Sequence, residues 1–253
     1  MPRAESIGPR AEAIGIGAPG YPAALASIPS PPKLLWVRGT LPPPAAVAVV
    51  GTRNPTAFGR EVAELAARGA AEAGLGVISG LAAGVDTVAH KSALQAGGRT
   101  WAVLGSGVDI PTPAANTALA GEILDKGGGL LAEVPPGTLV TRRQLVARDR
   151  IQSGLSLAVV VCQSEVASGT MHTARFAILQ GRLLVVVRPR GAESDLAANG
   201  GNLALSDPDG CDPALLSATG RAAQMISRRR PVADLVVEDR DGLAALWDRL
   251  RIV

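Results

Sequence analysis

Short apolar runs alternate with alanine-rich segments along most of the chain, and this alternation predicts the fold. The runs are rich in β-branched residues and lack polar alternation, which is typical of strands covered on both faces. Glycines end several of the intervening helical segments. The predicted strands are VAVVG (47–51), GVISG (76–80), TWAVLG (100–105), GLLAEV (129–134), LAVVVC (157–162) and LLVVVRP (183–189). Strands and helices in this order predict an α/β fold with a doubly wound, mostly parallel sheet and helices on both faces.

The pattern weakens toward both ends of the chain and indicates three regions. Residues 1–16 are expected to form a flexible N-terminus. Residues 17–220 are expected to form the main domain, which opens with a proline-rich stretch and the strand-like LLWVRG (34–39). Residues 221–253 are expected to form a short C-terminal extension with the basic cluster Arg228–Arg230, a strand and an amphipathic helix. An extension of this length is too short for a typical independent domain.

The composition favours a reduced, cytoplasmic setting without membrane association. The two cysteines, Cys162 and Cys211, lie far apart, and the first residues lack the apolar stretch of a secretory signal. No apolar run approaches the ~18 residues of a membrane span. The net charge of +3 permits an anionic partner without requiring one. An aromatic content of 2% leaves few rings on which nucleic-acid bases can stack.

Small and polar residues follow the predicted strands, where open α/β sheets bind their ligands. Small residues let a ligand approach the backbone, and N–H groups at helix N-termini favour anions. Arg53 adds a planar guanidinium suited to phosphate. The candidates are Gly51, Thr52 and Arg53, then Ser79, Gly80 and Leu81, then Gly105 and Gly107, and finally Ser168, Gly169 and Thr170. These residues together predict a site for a phosphate-bearing ligand, although each glycine alone is equally explained by a tight turn.

Cofactor and metal chemistry find little support in the sequence. Neither GxGxxG after the first strand nor GxxxxGK[ST] occurs, which argues against a dinucleotide and a P-loop nucleotide. With two histidines in the chain, a histidine-rich metal site is not expected. Asp86 and His90 stand four residues apart and allow two interpretations. They are either an acid/base pair or, as we favour, a charge on the first helical turn and a buried hydrogen bond. Glu133 is interpreted as an anchor for a neighbouring loop.

The segment TRRQLVARDR (141–150) carries four arginines: Arg142, Arg143, Arg148 and Arg150. Charge runs usually mark solvated faces. This one leads into the strand candidate at 157–162, so it is expected near the ligand edge of the sheet. That location favours a role in phosphate binding.

An ordered set of motifs resembles the DprA/Smf family, the DNA-processing proteins of bacterial transformation. The resemblance runs from about residue 20 to 205. It is carried by GYPAALASIPSPPKLLWVRG, VAVVGTRNPTAFGR, VISGLAAGVDTVAHKSALQAGGRTWAVLGSGVD, LLAEVPPGT, ARDRIQSGLSLAVVVC, ASGTMHTARFAILQGR and GGNLAL. It implies an extended Rossmann fold that binds single-stranded DNA, dimerises and helps to load the RecA recombinase, without catalysis or cofactor. By this resemblance Arg53 holds a phosphate and Ser79, Gly80 and Leu81 line the pocket. Further candidates are Lys91, Arg148, Arg150, Ser168, Gly169, Thr170 and Thr173.

The sequence departs from the family pattern in three places. The family usually reads Phe-Pro-x-Arg-Asn-Arg where this chain has Leu145 to Arg150, so Leu145 replaces a stacking ring and Asp149 replaces an amide. A lost stack costs about 1–3 kcal/mol per base. His172 stands where many members carry a smaller uncharged residue. The full C-terminal winged-helix-like domain of many members is not matched. These departures favour weakened or redirected binding of single strands.

Two other functions stay open at this point. The stretch VASGTMHTARFA is similar to the signature of LOG-type phosphoribohydrolases, yet His172 and Thr173 stand where that family has carboxylates. Cleavage of a glycosidic bond without a carboxylate is disfavoured. The alternative is a sensor of a nucleotide-derived ligand in the same crevice, which the missing ring and Asp149 suit.

Overall fold

A nine-stranded sheet forms the centre of the molecule in the computed structural model, which describes residues 10–250. The strands lie in the order β1-β2-β6-β5-β4-β3-β7-β8-β9. From β6 to β9 all neighbours are parallel, whereas β1 and β2 join antiparallel at one edge. The strands are β1 (Glu12–Gly15), β2 (Leu34–Gly39), β3 (Ala46–Val50), β4 (Gly76–Ser79), β5 (Thr100–Leu104), β6 (Gly129–Ala132), β7 (Ala158–Val161), β8 (Leu183–Val187) and β9 (Leu235–Val237). The predicted α/β class with a mostly parallel sheet is confirmed.

Helices cover both faces of this sheet. They are α1 (Ala23–Ala26), α2 (Ala57–Glu72), α3 (Val85–Gln95), α4 (Thr117–Asp125), α5 (Arg142–Gly154), α6 (Gly169–Leu179), α7 (Gly200–Ser206), α8 (Gly220–Ser227) and α9 (Arg240–Leu250). Short 3-10 helices lie at Ala114–Asn116, Gly191–Asp195, Ala197–Asn199 and Pro213–Leu216. Within residues 10–250 no helix combines the length and apolar character needed to cross a membrane.

The alternating side chains of β3 show how the two layers form. Val47 and Val49 pack with α2, α3 and α9, whereas Ala48 and Val50 pack with α6 and α8 on the other face. Successive side chains of a strand point to opposite faces, so an uninterrupted apolar strand requires cover on both. The continuous apolar runs of the sequence are therefore explained by burial on two sides.

The chain changes direction across the sheet between β3 and β7. From β3 it proceeds through β4 and β5 to β6, and it then returns through α5 to β7 on the other side of β3. The loop after β3 leads to a helix on one face and the loop after β7 to a helix on the opposite face. Diverging loops of this kind open a crevice at the carboxyl edge, which is where such folds bind ligands.

The ends of the chain differ from the sequence-based expectations. Residues Glu12–Gly15, expected within a flexible N-terminus, form β1 by pairing with β2. Residues 1–9 of that segment lie outside the described residues. At the other end the expected strand and helix exist, but they continue the main sheet. β9 extends the sheet beside β8, and Trp247 of α9 lies in the core against Gly69 of α2.

Replacing Trp247 with alanine is expected to destabilise the whole molecule. The indole is buried, and its removal opens a cavity between α9 and α2 that costs about 3–5 kcal/mol. Urea unfolding followed by circular dichroism measures this loss. The neighbouring Asp248→Ala at an exposed position serves as the control and should change stability by less than about 0.5 kcal/mol. A Trp247→Ala variant as stable as the wild type would show that α9 is dispensable.

Candidate functional site

Three loops interlock at the carboxyl ends of β3, β4 and β7. The amide of Thr52 donates to the carbonyl of Gln163 at 2.7 Å, and the amide of Val85 donates to the carbonyl of Thr52 at 3.1 Å. Gly84 adopts φ +81°, and a Cβ there would lie 2.4 Å from the Thr52 carbonyl oxygen. Only glycine meets both constraints. The backbone that carries Arg53 is therefore held from both sides.

Gln163, which sequence analysis did not single out, ties these loops together. Its Oε1 accepts from the Thr56 amide at 2.8 Å, and its Nε2 donates to Thr56 Oγ1 and to Asn199 Oδ1, each at 2.9 Å. The side chain is fully buried, so its three hydrogen bonds offset the loss of water. A polar residue directly after an apolar run was the available signal, because Gln163 follows the predicted strand at 157–162.

Arg148 lies inside this framework and does not reach the surface. Its Nη1 donates to the carbonyl of Val103 at 2.7 Å, its Nε lies 3.1 Å from Asp149 Oδ1, and its Nη2 lies 3.9 Å from Asp86 Oδ2. Its exposed fraction is 7%. A Cβ on Gly80 would lie 1.5 Å from Nη1, so Gly80 makes room for the guanidinium.

The loop after β4 already contains an anion, the carboxylate of Asp86. Asp86 Oδ2 accepts from the amides of Gly80 at 3.1 Å and Ala82 at 3.3 Å. Burial raises the pKa of Asp86, an effect that the charge of Arg148 and these hydrogen bonds oppose. Ser79 Oγ donates to the Val49 carbonyl at 2.7 Å. The Gly80 amide, a predicted donor to an external phosphate, is thus already bonded to Asp86.

The favoured interpretation of Asp86 and His90 is confirmed. Asp86 lies in the first turn of α3, and His90 Nδ1 forms a 2.7 Å hydrogen bond with Thr100 Oγ1. The Thr100 hydroxyl donates to the carbonyl of Val77, so Nδ1 carries the proton in the bond to Thr100. Burial lowers the pKa of His90 to about 3, which keeps the imidazole neutral.

Arg150 is engaged by protein groups as well. Its Nε donates to the carbonyl of Ser30 at 2.8 Å, its Nη1 to the carbonyl of Ala147 at 2.6 Å, and its Nη2 pairs with Glu133 at 2.5 Å. Glu133 therefore acts as the expected anchor. Groups of the protein therefore occupy donors of both Arg148 and Arg150, the two arginines of this segment that the sequence predicts as phosphate ligands.

The remaining candidates separate into an exposed rim and a buried support. Arg53, Lys91 and Gly169 are exposed, while Gly51 and Ser168 are half-buried. The buried candidates are Thr52, Ser79, Gly80, Leu81, Gly105, Gly107, Thr170 and Thr173. Gly105 lies beneath α5, where a Cβ would be 3.0 Å from Leu145 Cδ2, and a Cβ on Gly107 would be 2.8 Å from the Pro135 carbonyl oxygen. The structure thus brings most of the candidates to one edge of the sheet but leaves few of them accessible. Lys91 is different, because it follows His90, which contacts Thr100 at the amino end of β5.

Asp149 connects the buried charges with the rim. Burial raises its pKa to about 7, against the attraction of Arg148, while the nearby Asp86 adds to the rise and Arg53 opposes it. Arg53 itself forms no ion pair within 4 Å among residues 10–250.

A cavity of about 20 Å³ lies beside Arg148 at the ends of β5 and β6. Another of about 400 Å³ lies at the β8–β9 end and is lined by Arg188, Arg190 and Glu238 among others. The surface around Arg53 is therefore a shallow basic rim.

Comparisons with known proteins agree with this architecture. The putative DNA processing protein DprA of Mycobacterium tuberculosis (strain ATCC 25618 / H37Rv) is 41% identical over 160 residues, which cover 62% of this chain and 41% of that protein. The structure of DNA processing protein A from Streptococcus pneumoniae is similar with a TM-score of 0.68 and 34% identity, over 76% of this chain and 66% of that one. The structure of DNA processing protein A from Helicobacter pylori, which was solved for its single-stranded DNA binding mode, is similar with a TM-score of 0.67 and 28% sequence identity. The match covers 78% of this chain and 87% of that one.

A doubly wound sheet with a basic rim at its direction change defines a Rossmann-type protein suited to anionic ligands. The profile of the DNA recombination-mediator protein A family matches residues 12–207, and the chain belongs to this family. The resemblance to DprA/Smf proteins is thereby confirmed, and the protein is a member of a DNA-processing family.

The stability of the Asp149→Asn variant relative to the wild type is expected to rise as pH rises from about 4 to about 7. In this window the folded protein retains a proton that the unfolded chain, with an ordinary pKa of 3.8, has released. Wild-type stability therefore falls as pH rises, and the amide removes that loss, on the order of 2–4 kcal/mol at the upper end. Urea unfolding at pH 4, 5.5 and 7.5 measures the difference. An equal difference between the two proteins at every pH would contradict the raised pKa.

Proposed function

We propose that this protein binds single-stranded DNA along the carboxyl-edge rim, holds it without changing it, and presents it to a recombinase. The observation that carries the proposal is Arg53: an exposed guanidinium without an ion-pair partner, on a backbone held by neighbouring loops. A planar guanidinium suits a phosphate diester. Membership of a recombination-mediator family and the single-stranded DNA binding of the Helicobacter pylori relative support the choice of ligand.

The start of α6 supplies the second part of the phosphate site. The Ser168 side chain makes no capping hydrogen bond to the helix and instead bonds to Ser164 Oγ at 2.7 Å. Gly169 is exposed with open space around its Cα, so a ligand atom can approach the backbone there. First-turn amides without a side-chain cap attract anions. In this proposal Arg53, Lys91, Ser168 and Gly169 contact the strand.

In this proposal the buried candidates hold the rim in place and do not contact the DNA. Arg148 and Arg150 secure α5 to the ends of β5 and β6. The other members of this support are the half-buried Gly51 and the buried Thr52, Ser79, Gly80, Leu81, Gly105, Gly107, Thr170 and Thr173. Because these groups are already hydrogen-bonded or closely packed, they hold the rim in one geometry rather than adapting to a ligand.

The chemistry near the rim supports binding without catalysis. A general acid or base must reach its substrate within hydrogen-bond distance. Asp86 and Asp149 are buried against Arg148, and His90 is buried with its proton in a hydrogen bond. The cavity beside Arg148 holds about 20 Å³, far below the ~300 Å³ of a typical ligand pocket, so it does not admit a nucleotide.

We extend the proposal to two protein partners, a RecA-type recombinase and a second copy of this chain. The description of the family as a recombination mediator supports the first. We expect light scattering to give twice the mass of one chain, and immobilised protein to retain a purified RecA-type recombinase. A monomeric mass or a freely eluting recombinase would contradict these two parts and would leave the DNA-binding part standing.

Arg53→Ala is expected to weaken binding to single-stranded oligonucleotides and to flatten its salt dependence. Each phosphate contact releases condensed counterions, so loss of one contact lowers the slope of log affinity against log salt by about 1. Fluorescence anisotropy at two or more salt concentrations measures both effects. Arg99→Ala is the matched control, because Arg99 is an exposed arginine next to the amino end of β5. Absence of wild-type binding at low salt, or equal effects of both variants, would reject the proposal.

A further inference from the structure

Helices α5 and α6 run side by side in the same direction. Ser153 Oγ donates to Gln180 Oε1 at 2.7 Å, and Gln180 Nε2 donates to the carbonyl of Arg150 at 3.0 Å, which joins their C-terminal ends. α5 begins at Arg142, 11 residues before Ser153, and α6 begins at Gly169, 11 residues before Gln180. Both helices therefore begin the same number of residues before the Ser153–Gln180 hydrogen bond. Because they run in the same direction, their N-terminal turns lie next to each other at the carboxyl edge.

A group of cationic side chains lies between these two turns. Arg142 and Arg143 are exposed in the first turn of α5, and His172 and Arg175 are half-buried on one face of α6. Desolvation lowers the pKa of His172, and the nearby charges of Arg175 and Arg142 lower it further. Within residues 10–250 none of the four forms an ion pair within 4 Å. The group therefore contains several like charges and no bonded counter-charge.

Two nitrogens of this group are buried without a hydrogen-bond partner. They are His172 Nδ1 and Arg175 Nε. Arg175 uses Nη1 to donate to the carbonyl of Ser217, so its guanidinium is positioned while Nε stays unsatisfied. An unpaired buried polar group costs about 1–3 kcal/mol, and a native protein usually provides a partner for it. An anion with several acceptor oxygens satisfies both nitrogens when these half-buried side chains turn toward it on binding.

We propose that His172, with Arg142 and Arg175, forms a second phosphate subsite that seats a backbone phosphate of the bound single strand and takes up a proton as it does so. This inference rests on the proposed function. Asp149 lies close enough to influence both Arg53 and Arg175, so the new subsite and the Arg53 subsite flank the same carboxyl. A strand that crosses the start of α6 passes from one to the other.

The proton uptake follows from the charges around His172. In the free protein, desolvation and then the charges of Arg175 and Arg142 lower the pKa of His172, which favours the neutral imidazole. A bound phosphate adds negative charge beside it and raises its pKa, and as imidazolium both ring nitrogens donate. Affinity should therefore increase as pH falls through the pKa of the bound state. Asp149 titrates in the same range, and its protonation also favours an anion, so its effect must be separated.

NMR titration of the histidines tests the proposal directly. The chain contains two histidines, and burial lowers the pKa of His90 to about 3, so a histidine signal that titrates at higher pH belongs to His172. In the free protein its pKa should lie below 6.5, and saturation with oligothymidylate should raise it. Anisotropy should show an affinity several-fold higher at pH 5.5 than at pH 7.5 in the Asp149→Asn background. Adding His172→Gln should remove this pH dependence, while Arg99→Ala should leave it intact.

The outcomes separate this inference from the proposed function. If the protein binds the oligonucleotide through Arg53 but the pKa of His172 does not move and His172→Gln keeps the pH dependence, the second subsite is rejected and the proposed function stands. If the protein binds no single strand at any pH, both are rejected. The wild-type NMR titration decides the matter even if His172→Gln fails to fold.

Discussion

The buried guanidinium of Arg148 is the interaction around which the ligand edge is organised. It joins α5 to β5 through the carbonyl of Val103, to α3 through Asp86, and to the next residue of α5 through Asp149. Removing one partner from such a buried group leaves an uncompensated charge, which typically costs 3–5 kcal/mol. Gly80 is required for the same reason, because any side chain there would occupy the guanidinium's position. The loop after β4, the start of α3 and the middle of α5 therefore cannot move independently.

This internal arrangement determines which charges remain for a ligand. Asp86 accepts hydrogen bonds from two amides of its own loop, and the buried Arg148 lies beside the carboxyls of Asp86 and Asp149. The unpaired cations that stay at the surface come from other loops: Arg53 after β3, and Arg142 and Arg143 at the start of α5. A polyanion approaching this edge meets basic side chains outside and a charge-compensated interior behind them. Such a surface suits the reversible binding of an anion that we propose.

The departures from the family pattern have distinct structural consequences. Leu145 lies against the end of β5, close to Gly105, so the position of the usual ring is filled by an aliphatic side chain that packs and cannot stack. Asp149 adds a second carboxyl next to Arg148, and its raised pKa makes the charge of this edge sensitive to pH. His172 adds a nitrogen that lacks a partner within the protein. Together they replace a side chain that can stack with ionisable ones, so the binding that we propose depends on charge more than on stacking.

The sequence by itself determined the strands of the parallel sheet, the carboxyl-edge location of the site and the family, because apolar periodicity and glycine positions are local properties. It also indicated the structural roles of Asp86, His90 and Glu133. It did not reveal β1, whose residues pair only once β2 is placed beside them. It also missed the bridging role of Gln163 and the burial of Arg148 and Arg150. Whether an arginine faces water or the interior depends on partners distant in the chain, such as Val103 for Arg148 and Ser30 for Arg150. Only the tertiary structure brings those partners together, and so only it separates the arginines that support the site from those that remain free.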